Sequence, residues 1–97
     1  EYYSYHFFAY PPRPNPSSDI SRILIVWDRS FELEEAITGV CNSMGNIVGG
    51  RENMAFTFTS KYEAELVWDC SRLSAGVYFI IVKHNGITDC IPVVISK

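Results

Sequence analysis

Apolar residues along this chain recur with a period of about two rather than about 3.6, in short runs divided by turn-forming residues. Ile23, Leu24, Ile25, Val26 and Trp27 make a β-branched and aromatic run closed by Asp28, which predicts a strand. Residues 31–36 are Glu-rich and are the one place that admits a helical turn. Because residues 37–41 return at once to strand composition, the segment is expected to be a connection or an edge strand. Ser43, Met44, Gly45 and Asn46 then form a turn signal, since Gly45 and Asn46 tolerate positive φ. This predicts a hairpin from residues 37–42 to Ile47 and Val48, ended by Gly49 and Gly50.

Residues 55–59 alternate aromatic with hydroxyl side chains, the pattern of a strand with one buried face. In the next run Tyr62, Ala64, Leu66 and Trp68 share one side and Glu63 and Glu65 the other, so Trp68 is expected in the core; parity with Ile23 and Ile25 predicts the same for Trp27. A turn-like stretch over residues 69–76 leads to an apolar run over 77–83, then His84, Asn85 and Gly86, then residues 87–96. Asn85-Gly86 between two apolar runs is the strongest hairpin signal in the chain. Six or seven short strands of this spacing predict an all-β fold, an antiparallel immunoglobulin-like β-sandwich.

The first sixteen residues differ. Six of the first ten are Tyr or Phe, and four prolines follow within positions 11–16. The expected division is an aromatic and proline-rich arm or linker over residues 1–16 and a sandwich domain over 17–97. Pro11, Pro12, Pro14 and Pro16 predict extended polyproline II, while residues 2–10 are able to add an edge strand or cover a sheet face. The chain opens at Glu1, which leaves a removed signal peptide or excision from a longer protein as alternatives.

Composition narrows the function. Ninety-seven residues, 47% of them hydrophobic and 20% charged, suffice for one core. A net charge of -3 with scattered Lys and Arg lacks the basic stripe that a nucleic-acid partner requires, and no apolar run approaches the ~20 residues of a membrane-spanning helix. Cys41, Cys70 and Cys90 have no CxxC spacing, so they read as buried apolar side chains, with one of three pairings open to them in an oxidising compartment. Hydrolytic chemistry needs a nucleophile with a base in reach, and His6 and His84 sit in no motif. Glu32, Glu34 and Glu35, like Glu63 and Glu65, are too sparse for a calcium loop and read as solvated faces. The expectation is no catalytic site, no metal, no cofactor and no membrane span, and hence a role in binding or being recognised.

Ordered landmarks give that role a family. Pro14-Asn15-Pro16-Ser17-Ser18-Asp19 resembles a PNP-x-x-D opening, residues 42–48 resemble an n-x-x-G-x-x-V hairpin centred on Gly45, and residues 68–79 resemble a D-l-S-x-L-x-x-G-x-Y block carrying Asp69, Leu73, Gly76 and Tyr78. With an apolar last strand closed by Lys97, the chain from Tyr10 onward resembles the C-terminal sorting domain of the bacterial type IX secretion system found in Bacteroidetes. It departs from that pattern in the acidic insertion at Glu32, Glu34 and Glu35 and in its weakly basic end.

The resemblance implies a folded, non-enzymatic signal on an exported protein, recognised by secretion machinery at the outer membrane, with Pro14, Asn15, Pro16, Gly45, Asp69, Leu73, Gly76, Tyr78 and Lys97 as recognition positions. It places the protein in the periplasm, at the outer-membrane surface or outside the cell. The last hairpin, residues 77–97, is then the expected recognition surface, and Pro92 suits an edge position for the final strand. Each landmark also has a structural reading: Gly76 lets the chain turn, Tyr78 fills the core and Leu73 plugs the end of the sandwich. The alternative is a stand-alone exported module that binds a carbohydrate on exposed rings such as Tyr2, Tyr3, Tyr5 and Tyr10, or that adheres to a neighbouring domain by strand addition.

Overall fold

Positions that alternate in the sequence alternate between core and solvent in the computed structural model, which describes residues 2–3, 7–28, 32–84 and 86–97. The strands are β1 (Tyr2–Tyr3), β2 (Phe7–Ala9), β3 (Ile20–Trp27), β4 (Ile37–Asn42), β5 (Ile47–Gly49), β6 (Met54–Ser60), β7 (Glu63–Asp69), β8 (Gly76–His84) and β9 (Ile87–Ile95). One sheet has the order β1-β2-β3-β7-β6 and the other β5-β4-β8-β9, with every described pairing between strands antiparallel. Leaving β1 aside, these orders are the A-B-E-D and C′-C-F-G arrangements of an immunoglobulin-like sandwich.

The core lies where the inner faces meet. Ile23 and Ile25 of β3 and Ala64, Leu66 and Trp68 of β7 face Val40 of β4, Tyr78, Ile80 and Val82 of β8, and Ile91, Val93 and Ile95 of β9. Trp27, predicted to be buried, is only half-buried because it ends its strand, and Tyr62 is exposed at the turn into β7.

Of the expectations for the early chain, the edge strand holds and the extended proline run needs correction. Phe7 and Ala9 are buried and β2 pairs along β3, so the aromatic half of the arm is sheet, by the edge-strand route. From Arg13 to Ser17 the proline segment does not run as extended polyproline II: the Arg13 N–H and C=O exchange 2.8 Å and 2.9 Å hydrogen bonds with Arg22, and the Ser17 hydroxyl donates to the Pro14 carbonyl at 2.6 Å across a bend. The bonds before Pro14 and Pro16 are cis.

Glu32 and the residues after it form no edge strand. Leu33–Ala36 make one helical turn, α1, which buries Leu33 and Ala36 on one side and exposes Glu34 and Glu35 on the other. Spacing of three residues on a helix explains that division. Phe31 and Asn85, and with Asn85 the predicted Asn85-Gly86 turn, lie outside the described residues; on either side of that turn His84 pairs with Ile87.

Candidate recognition surface

The opening landmark is strapped to the last strand. Ser17 donates its N–H to the Val94 carbonyl at 2.8 Å and accepts the Ser96 N–H at 2.8 Å, a single parallel bridge along the outer edge of β9. Its side chain is fully buried, whereas Pro14, Asn15 and Pro16 stay exposed over the bend. Sequence reasoning missed Ser17, although a small hydroxyl residue directly after a proline bend is the type that bonds its own backbone.

The 69–76 block lies against the same edge. Asp69 ends β7, and its Oδ1 accepts the Ser71 hydroxyl at 2.7 Å and the Ser71 N–H at 3.1 Å. The hydroxyl first, and the N–H second, hold the Asp69 carboxyl below the usual carboxylate range. The Leu73 N–H closes a turn onto the Cys70 carbonyl at 3.1 Å, and its half-buried side chain packs on the core. Gly76 has φ 156°, a value unfavourable for an L side chain, and starts β8.

Tyr78 is buried near the start of β8, and its hydroxyl donates to the Ser74 carbonyl at 2.8 Å. This is the tyrosine corner of immunoglobulin-like domains, in which a ring at the start of strand F is tied to backbone a few residues upstream. The chain end returns to the block: Lys97 Nζ donates to the Ser71 carbonyl at 2.9 Å and lies 4.0 Å from Asp19 Oδ1. The Cys70 N–H donates to the Asp19 carbonyl at 2.9 Å, which ties the opening to the block directly.

Pro14, Asn15, Pro16, Asp69, Leu73, Gly76, Tyr78 and Lys97 therefore gather at one end of the sandwich. Gly45 lies at that end but on the far side of β8, in the β4–β5 hairpin, where Asn42 pairs with Tyr78. There Asn42 Oδ1 accepts the Met44 and Asn46 N–H groups, both at 3.0 Å, and Gly45 supplies φ 86°. Of the other landmarks, Tyr78 is the one that this hairpin pairs with, through Asn42.

A second feature lay outside the sequence reading. The face of the β5-β4-β8-β9 sheet turned away from the core is apolar across all four strands: Ile47, Cys41, Phe79, Ile81, Cys90 and Pro92, with Val77 opposite Val94 at the landmark end. Ile47 is 67% exposed, and Val77 and Val94 about 40% each. Cys41 and Cys90 sit on strands flanking β8, two spacings or ~9.6 Å apart, beyond the ~7 Å that a disulfide tolerates. Burial pushes the Cys90 and Cys70 thiols up.

Other chemistry is sparse. Among the described residues no group of three His, Cys, Asp or Glu side chains is placed to hold a metal ion, and no helix is long and apolar enough to cross a membrane. His6 and Tyr5, and the side chains of Tyr2 and Tyr3, lie outside the described residues. The exposed Tyr10 meets Phe8 edge-on at 84°. At the end opposite the landmarks a cleft of about 280 Å³ is lined by Trp27, Phe58, Tyr62, Glu32 and Glu34. There Trp27 meets Phe58 at 89°, so neither ring pair makes a flat stacking platform.

No curated protein and no solved structure matches the chain. The family model of the secretion system C-terminal sorting domain matches residues 13–96, from the bend before Pro14 to the strap bond of Ser96. With the sandwich and all nine landmark residues inside or beside that span, the chain belongs to the secretion system C-terminal sorting domain family.

Proposed function

We propose that this domain is a non-enzymatic export signal read as a folded object at the outer membrane of a type IX secretion system, through the outer face of its last hairpin. The observation that carries this reading is the apolar outer face of β8 and β9, on which Val77, Pro92 and Val94 are exposed and Phe79, Ile81 and Cys90 half-buried. Contiguous exposed apolar surface marks a binding site more often than it marks nothing. The landmark end supports the same reading in a different way. The strap at Ser17, the Asp69–Ser71 turn, the tyrosine corner and the Lys97 tether fix where β9 stops and what its end presents.

The test is a fusion of residues 10–97 to a periplasmic reporter in a host with a working type IX system. Surface display of the reporter is the expected result, and Val77→Lys, at an exposed position of the outer face, abolishes display while leaving the melting curve of the purified domain in place. A reporter that stays periplasmic with the unmodified domain would overturn the sorting reading. Display that survives Val77→Lys would move the recognition surface to another face.

A further inference from the structure

We infer that β6 is a self-pairing edge, through which two copies of this chain join their five-stranded sheets into one ten-stranded sheet. Among the described residues β6 pairs only with β7, so its other side offers unpaired backbone donors and acceptors. Its sequence, Met54-Ala55-Phe56-Thr57-Phe58-Thr59-Ser60, has no charge, no proline and no glycine. Edge strands are usually blunted by at least one of these, and a seven-residue run without them has the composition of a strand that adds to its own kind.

The order of residues selects a second copy rather than an unrelated strand. An antiparallel two-fold pairing centred on Thr57 sets Thr57 opposite itself, Phe56 opposite the other copy's Phe58, and Ala55 opposite Thr59. Aromatic pairs and Thr–Thr pairs are favoured cross-strand neighbours, and here one register supplies both with no like charges opposed. Phe58 also needs cover: it lies on the core side of the sheet, opposite Ala64, yet is 49% exposed on this edge strand.

The bulge between Phe58 and Ser60 confines regular pairing to about five residues a side, so the interface is small and transient, with a dissociation constant on the order of 0.1–1 mM. Sedimentation velocity on the 97-residue chain, from ~10 µM to ~1 mM, should show a reversible monomer–dimer equilibrium. Thr57→Lys and Thr57→Glu each oppose like charges across the two-fold and should weaken dimerisation about fivefold or more. An equimolar mixture of the two variants should associate at least as well as the unmodified chain, because only this register sets position 57 against itself. Amide exchange on the unmodified chain gives an independent reading, with residues 54–60 gaining protection as concentration rises. A chain that stays monomeric at the highest concentration overturns the inference. So do variants that fold but do not associate when mixed, or dimerisation without added protection in residues 54–60.

Discussion

Asp69 shows how much a single side chain organises at the landmark end. Its carboxylate collects both donors of Ser71, and those bonds favour the ionised form, so its folded pKa is lower than its unfolded one. A depressed pKa contributes stability that is fully present above the unfolded value, near 3.8, and is lost as pH falls through the folded value. Asp69→Asn keeps an acceptor oxygen but removes the titration, so its melting temperature should fall less than that of the unmodified chain between about pH 5 and about pH 3. Equal acid limbs for the two proteins would show that the Ser71 turn does not bind the charge. Gly76 makes a different demand. A Cβ there would meet only Tyr78 at 3.7 Å, ordinary contact, so the cost of Gly76→Ala comes from φ 156° alone. That cost should be about 1–2 kcal/mol in urea unfolding, whereas a substitution at Gly49, which has open space and no such angle, should cost clearly less.

Among the elements, β9 explains the proline that the sequence singled out. Ser17 bonds to the Val94 carbonyl and the Ser96 N–H, so even-numbered residues of the final strand turn their backbone groups away from β8. Pro92 belongs to that set, and its missing N–H removes no ladder bond. Pro92→Thr should therefore change stability by less than ~1 kcal/mol, through the entropy of the unfolded chain, as measured by thermal melting. A larger loss would place position 92 in the ladder. The hairpins at Gly45 and Gly86 were legible because turn chemistry is local. The joining of β1 and β2 to the sheet was legible only as one of two alternatives, because strands of two and three residues carry no periodicity that fixes their place. The helical turn of α1 was masked by the strand-like residues that follow it. The run over residues 77–82 was legible as a strand, but a continuous apolar run does not tell which of its faces the core covers; Tyr78, Ile80 and Val82 turn inward, while Val77, Phe79 and Ile81 turn to the outer face.

For the whole molecule, the chain end belongs to the fold as well as to the signal, and that determines which experiments can separate them. Removing residues 95–97 deletes the buried Ile95, the Ser96 bond to Ser17 and the Lys97 bond to Ser71. Losing a buried isoleucine costs about 2–5 kcal/mol and each hydrogen bond about 1 kcal/mol. Against the ~5–15 kcal/mol that holds a domain together, such a truncation should lower the melting temperature by tens of degrees or leave the chain unfolded. Loss of export on truncation would therefore follow from lost structure alone and say nothing about what the machinery reads. Val94→Lys asks the sharper question. Position 94 is exposed on the outer face, its backbone bond to Ser17 does not involve the side chain, and its stability effect should stay within about 0.5 kcal/mol. If that folded variant loses surface display of the reporter while a charge placed at Thr57 does not, the apolar face of the last hairpin is what is recognised. If both are displayed as well as the unmodified domain, the recognised feature lies at the landmark end, where Pro14, Asn15 and Pro16 stand exposed beside the tethered Lys97.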